Sequence, residues 1–217
     1  MAENNATNLI FLSRHAGVSP SDKAFFDELQ NQGCSLSIIK GSVRHMSDVE
    51  DAISSASKPL RGVFDLSMVL QDESLLRMSL DEWDTAIGPK VQGTWNLHKA
   101  CVDHELDFFM LFSSMCGIIG MPGQANCATA NTFLDSFVQY HKFVEILKYR
   151  VVRGLCESGQ ARCFHLSRLR TWRCAYTRIF SMRGERKKKR AFHLAAEIIC
   201  TSVRSVSPNR VPLSRLS

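Results

Sequence analysis

The sequence predicts an α/β fold: a parallel sheet of about four strands with helices on its faces, followed by an irregular basic tail. Two observations carry this. Short apolar runs alternate with amphipathic stretches in the order β-α-β-α-β-α-β-α as far as Phe143, and such alternation with short connections argues for a parallel sheet. The charge then changes sign: residues 1–142 carry a net −7 and residues 143–217 a net +13, within an overall +6. That break marks the sharpest boundary in the chain and divides it into a domain over 1–142 and a basic tail over 143–217.

The elements follow in order. Asn8–Ser13 (NLIFLS) is a short apolar run and reads as a strand. Ser21–Gln32 opens on Ser-Asp, carries Phe25, Phe26 and Leu29 on one side and ends at Gly33, so it reads as a capped amphipathic helix. Ser35–Lys40 (SLSIIK) is a second strand. Ser47–Ala56 has an acidic first turn and Val49, Ala52 and Ile53 on one face, which is helical. Val63–Met68 is a third strand. Ser79–Cys101 is a long helical stretch, with an interruption expected near Gly88-Pro89. Leu106–Ser113 (LDFFMLFS) is the strongest strand signal, Gly117–Gly123 a glycine-rich loop, and Asn126–Phe143 a helix with Ala130, Phe133, Leu134 and Phe137 together. In open parallel sheets ligands sit at the carboxyl ends of strands, so the loop after Ser113 is the place to expect a site.

Beyond Phe143 no sustained period is found. Arg186–Arg190 (RKKKR) is a charge block, read as a solvated run and not as a nucleic-acid patch, because no aromatic interleaving accompanies it. Ala191–Cys200 reads as a short helix. No apolar run approaches the roughly 20 residues that cross a bilayer, and no basic region precedes the apolar N-terminal stretch, so neither a membrane span nor a signal peptide is expected. The eight cysteines form no C-x-x-C pair and lack metal-ligand spacing, which suits reduced thiols in the cytoplasm.

Four stretches carry a resemblance: Arg61-Gly62-Val63 through Leu70; Pro89-Lys90-Val91-Gln92-Gly93-Thr94-Trp95-Asn96; Leu106-Asp107-Phe108-Phe109 through Ser114; and Gly120-Met121-Pro122-Gly123-Gln124-Ala125-Asn126 through Asp135. In order and spacing they resemble the ketoreductase domain of fungal-type reducing polyketide synthases, within the short-chain dehydrogenase/reductase superfamily. The resemblance implies a Rossmann-like sheet and NADPH-dependent reduction of a β-ketoacyl group carried on an acyl carrier protein. It implies a serine that holds the substrate carbonyl, matched by Ser114, and a lysine and asparagine that support an acid, matched by Lys90 and Asn131. The tyrosine that acts as this acid is replaced by Cys127. It further implies cofactor contacts from Arg14, Ser13 and Ser42, with Arg14 meeting the 2′-phosphate.

Hydride arriving at a ketone leaves charge on oxygen, so one group must hydrogen-bond that oxygen and another must deliver a proton. A thiol is acidic enough, with a free pKa of about 8.5 against about 10 for tyrosine, but it reaches only one bond beyond Cβ. Read from the residues, Cys127 also suits a small hydrophobe on a core helix. Ahead of Asn8 the resemblance implies a first strand and a loop of the type T-G-G-x-G-G-L-G. Seven residues precede Asn8 here and none is glycine. The expectation is thus an incomplete sheet lacking that strand and the diphosphate cradle, with the strands at Asn8 and Ser35 pairing directly with the one at Val63 or exposing an edge.

Three classes of function follow. The chain is a ketoreductase fragment that works only with a second half, a truncated and inactive remnant, or an interaction module that docks on a synthase or carrier protein.

Overall fold

The computed structural model describes residues 6–15, 20–144, 150–157, 160–162 and 197–203. The elements are β1 (Ala6–Ser13), α1 (Pro20–Asn31), β2 (Ser35–Lys40), α2 (Met46–Ser54), β3 (Gly62–Asp65), α3 (Leu80–Cys101), β4 (Phe108–Ser114), α4 (Cys116–Ile119), α5 (Ala125–Val144), β5 (Arg150–Glu157), β6 (Gln160–Arg162) and β7 (Glu197–Val203). Among the described residues one sheet holds every strand, in the order β2-β1-β7-β3-β4-β5-β6. β1 runs parallel to β2, and β3, β4 and β5 run parallel to one another. β7 is antiparallel to both its neighbours, and β6 to β5.

The four expected strands are thus present as β1 to β4, and the sheet is wider than they are. The expected direct pairing of β1 with β3 does not occur, because β7 lies between them. Part of the short helix read over Ala191–Cys200 is strand instead, from Glu197 onward. The physical reason is local: Ile198, Ile199, Thr201 and Val203 are β-branched, stiff at χ1 and suited to a pleated surface. Arg150–Glu157 carries Val151 and Val152 and also pairs into the sheet. The charge block at Arg186–Arg190 lies outside the described residues.

Alternation along the strands divides the core in two. Ile10 and Leu12 of β1, Val63 of β3, and Phe109 and Leu111 of β4 meet Val49 and Ala52 of α2, Leu97 and Cys101 of α3, and Leu134, Phe137 and Val138 of α5. The residues between them, Leu9, Phe11, Phe64, Phe108, Met110 and Phe112, form the opposite cluster with Phe26 of α1. Burial of both faces explains why LIFL and FFMLF are continuous apolar runs and do not alternate with polar residues.

Local chemistry sets the boundaries. α1 ends at Gly33, whose φ of +84° is the left-handed conformation that glycine adopts without a Cβ penalty. α3 opens on a capping box: the Ser79 hydroxyl accepts from Glu82 N–H at 3.2 Å, and the Glu82 carboxylate accepts from Ser79 N–H at 2.8 Å. The interruption expected at Gly88-Pro89 is absent, and α3 continues through Pro89. β3 is shorter than read, because the Asp65 carboxylate accepts from Ser67 N–H at 3.0 Å and turns the chain.

Gly62 registers with Phe108 on β4, and the ring lies on the glycine: a Cβ there would stand 2.1 Å from Phe108 Cζ. Gly62→Ala is expected to destabilise the fold by about 1–3 kcal/mol through overpacking. Denaturant titration checks this, and an unchanged midpoint would show that the ring moves aside freely.

On α5 the His141 ring stacks 4.5 Å from Phe137 and 4.6 Å from His98 of α3, its Nε2 buried without a partner. Burial first, and the facing His98 second, push His141 down to about 4. A base whose folded pKa is depressed is held neutral, so its contribution is intact above the unfolded value of about 6.5 and is lost as pH falls below it. The melting temperature should therefore fall between pH 6.5 and 4 more steeply than in His141→Phe. Parallel slopes for the two proteins would refute the assignment.

Candidate functional site

The carboxyl ends of the parallel strands bring together two groups of side chains, and α3 serves both. At the first, β4 ends in Ser113 and Ser114, and α4 begins immediately after. Ser114 is half-buried and its hydroxyl accepts from Cys116 N–H at 3.2 Å, so its own proton is left to donate. Lys90, on α3, is 6% exposed, and its Nζ donates to the Phe112 carbonyl of β4 at 2.7 Å. Asn131, on α5, is fully buried; its Nδ2 donates to the Cys127 carbonyl at 2.7 Å and lies 3.3 Å from Cys127 Sγ. Its Oδ1 is buried and without a protein partner. The four residues expected at this end thus sit around the end of β4, with Asn131 and Cys127 one helical turn apart.

Several further residues complete this end, some of them from the glycine-rich loop and the stretch after it. Gly117 lets α4 close on α5, since a Cβ there would stand 2.9 Å from Asn131 Cβ. Cys116 is 2% exposed and Cys127 8% exposed. Burial, then the neighbouring Cys127, push the Cys116 thiol up to about 11, so at neutral pH it is a protonated thiol. Asn126, also fully buried, donates from Nδ2 to the Gln71 carbonyl at 2.8 Å and accepts from Cys127 N–H at 2.7 Å. Gln124 Nε2 donates to Asp72 at 3.1 Å, and the carbonyl of Gly123, at a φ of +75°, accepts from Glu73 N–H at 2.9 Å. These contacts fasten the segment after β3 onto the start of α5, which is where Cys127 stands. Buried Asp65 is satisfied from two elements, by the Ser67 hydroxyl at 2.7 Å and the Thr94 hydroxyl at 2.9 Å. Only the fold, by pairing residues 29 positions apart, reveals that bond.

The second group lies after β1 and β2. Ser13 and Arg14 of one turn and Ser42 and Arg44 of the next line a shared cleft, closed on the α3 side by Thr85 and Pro89. Pro89 has no N–H to give the Thr85 carbonyl one turn back, which suits a helix face that borders a cleft. All three residues expected to contact a cofactor, Arg14, Ser13 and Ser42, meet in this cleft and not at the end of β4. Arg44 is an addition.

NADPH, the cofactor implied by the resemblance, fits these residues at one end only. Guanidinium and hydroxyl groups suit the phosphorylated ribose. The diphosphate requires a strand, a glycine-rich turn and a helix N-terminus at the crevice. There β7 runs the opposite way, and its first residue, Glu197, registers with Leu12 near the end of β1. Among the described residues no glycine-rich turn opens a helix at that position.

The family model described as KR domain matches residues 1–146. The highly reducing polyketide synthase VdtX of Byssochlamys spectabilis is 63% identical over 140 residues, which are 64% of this chain and 6% of that protein. FUM1 of Gibberella moniliformis (strain M3125 / FGSC 7600), also a highly reducing polyketide synthase, is 49% identical over 159 residues, 72% of this chain and 6% of that protein. The chain thus spans about 6% of the length of these curated relatives. Among solved structures, an A-type ketoreductase of a modular polyketide synthase superposes with a TM-score of 0.65 at 26% identity, covering 70% of this chain and 32% of that one. An A1-type ketoreductase shares the fold over 93% of this chain and 44% of its own, with a TM-score of 0.67 at 21% identity. No helix among the described residues is long and apolar enough to cross a membrane. The chain belongs to the KR family, the ketoreductase domains of polyketide synthases.

Proposed function

We propose that this chain carries the substrate-oxygen end of a polyketide-synthase ketoreductase site and does not complete the reduction alone. The ancestral reaction is NADPH-dependent reduction of a β-ketoacyl thioester delivered by an acyl carrier protein, in the cytoplasm. The observation that supports this reading most directly is the set of groups around the end of β4: a serine hydroxyl with its proton to give, a lysine amine drawn onto the same strand, and an asparagine with an unsatisfied buried oxygen. The Ser114 hydroxyl donates to the ketone oxygen. The Lys90 amine, held at the Phe112 carbonyl, adds positive potential below it. Asn131 Oδ1 accepts from a water or substrate proton that enters beside it.

What the site lacks is a proton donor with reach. Cys127 is 8% exposed and its Sγ sits against the Asn131 amide at 3.3 Å, and a sulfur one bond beyond Cβ must come within about 2.6–3.2 Å of the substrate oxygen, or use one bridging water, to transfer a proton. NADPH supplies hydride when bound, and the fit at the diphosphate end is the second deficiency. Both support a role for the chain as a binder of the ketoacyl group or as one half of a two-part site.

The experiment has two readouts. A β-ketoacyl pantetheine thioester should bind the purified chain in a calorimetric titration, and Ser114→Ala should weaken it about three- to tenfold, the loss of one neutral hydrogen bond. Failure of the wild-type chain to bind the thioester would sink the substrate-oxygen reading. With NADPH added, neither the chain nor Cys127→Tyr should oxidise it above background. Turnover by the wild-type chain would show the site complete, and turnover by Cys127→Tyr would show that the thiol is the whole defect.

A further inference from the structure

We infer that Cys116 and Cys127 form an oxidative modification site, a dithiol that hydrogen peroxide closes into a disulfide joining α4 to α5. The inference concerns the thiols themselves and does not depend on what the end of β4 binds.

Cys34, Cys101, Cys116 and Cys127 are free thiols, and they are of two kinds. Cys34 gives its proton to the Ala6 carbonyl at 2.8 Å, and Cys101 is fully buried among the apolar residues between the sheet and its helices. Cys116 and Cys127 instead face one another, their side chains hydrogen-bonded across the gap between α4 and α5. Cys116 Sγ also lies 3.7 Å from the Gln124 carbonyl, in the turn that leads into α5, and Cys127 Sγ lies 3.3 Å from Asn131 Nδ2. Both sulfurs thus point into one small space at the start of α5.

The backbone holds the two elements together there. Cys116 opens α4, and its N–H donates to Ser114 Oγ at 3.2 Å, which ties it to the end of β4. Gly117 seats α4 against α5 one turn past Cys127, since a Cβ on it would stand 2.9 Å from Asn131 Cβ. The segment between the cysteines turns on Gly120 and Gly123, at φ of +67° and +75°, which glycine adopts without steric penalty. A Cβ added to Gly120 would meet nothing within 4 Å, so the loop has space to follow Cys116 as the sulfurs close from hydrogen-bond contact to a bond.

Two thiols alone suit this chemistry better than metal binding. Among the described residues no group of three or more His, Cys, Asp or Glu could hold a metal ion, and structural zinc takes four such ligands.

Cys127 is the more exposed of the pair, at 8% against 2%. Its sulfur attacks one oxygen of the peroxide, the O–O bond breaks, one water leaves and Cys127 becomes a sulfenic acid. The Cys116 sulfur then attacks the Cys127 sulfur. The S–O bond breaks, and the departing hydroxide takes the Cys116 proton as a second water. The two sulfurs together give up two electrons, which reduce the peroxide. Burial, then the neighbouring Cys127, hold the Cys116 thiol up at about 11. Cys116 therefore stays protonated and leaves the first attack to its partner.

The full chain, folded in native buffer, is treated with enough hydrogen peroxide to oxidise free glutathione, alkylated in denaturant and digested. Trypsin releases residues 100–142 as one peptide holding Cys101, Cys116 and Cys127. After oxidation that peptide should weigh two hydrogen atoms less, with Cys101 alkylated. Thermolysin, which cuts before apolar residues such as Ile118 and Ile119, should leave the Cys116 and Cys127 fragments joined until dithiothreitol separates them. In Cys116→Ser the sulfenic acid at Cys127 should persist and be trapped by a 1,3-diketone, severalfold more than at Cys116 in Cys127→Ser. The wild-type mapping needs neither variant to fold.

Alkylation of both Cys116 and Cys127 after peroxide treatment would overturn the inference. So would a link from Cys116 to another thiol in preference to Cys127, with Cys156, whose backbone registers with Ser114, as the rival to watch. Trapping at Cys116 and not at Cys127 would overturn the assigned order of attack.

Discussion

The amine of Lys90 lies almost wholly out of water, and a buried amine keeps its place only where acceptors meet it. The Phe112 carbonyl does so at 2.7 Å, and this bond fixes where α3 sits along β4. Much of the rest follows from that register. With Lys90 at β4, Thr94 one turn on reaches the buried Asp65 of β3, Asn96 reaches the turn after β2, and Gly88 comes under Arg44. One helix therefore reaches the carboxyl ends of three strands and borders both groups of polar side chains. Sliding it by a residue would take the Thr94 hydroxyl away from the buried Asp65 carboxylate, at a cost of about 1–3 kcal/mol for the lost bond.

The fold was legible where burial writes a simple pattern. LIFL and FFMLF announce strands covered on both faces, and the spacing of Val49, Ala52 and Ile53 announces α2. Legibility failed where charge dominates composition. The strands at Arg150–Glu157 and Glu197–Val203 contain β-branched pairs, Val151-Val152 and Ile198-Ile199, but the first lies where no period was found and the second overlaps a stretch read as a short helix. β-propensity was the signal available there, and periodicity was the wrong instrument for segments this short.

The site was legible through resemblance more than through residues. Ser114, Lys90 and Asn131 are separated by up to 41 positions, and no spacing rule links them. What sequence could not supply were the tertiary partners: Cys116 beside Cys127, the Asn126 bridge to Gln71, and Arg44 beside Arg14. Arg44 was hidden because an arginine in a polar turn is ordinary on its own. It acquires meaning from Gly88, 44 residues later, whose missing side chain makes room for it.

The thiols at positions 116 and 127 show how a single replacement alters a pocket beyond the atom removed. A tyrosine at 127 would bring a hydroxyl, and with it a polar partner for the asparagine one turn on. Cysteine brings a small, weakly polar sulfur. The Asn131 amide turns to that sulfur and to the backbone, and its oxygen is left without a protein partner. Cys116, closed in by burial and by the second thiol, remains protonated at neutral pH and offers no charge in compensation. Ser114 thereby becomes the principal side chain at the end of β4 with a proton to give from a half-exposed position. On the proposed reading a ketone oxygen is held there, and position 127 offers no phenol to discharge the charge that hydride would place on it. On that reading binding and turnover are separated, by the thiol at this end of the sheet and by the fit of the diphosphate at the other.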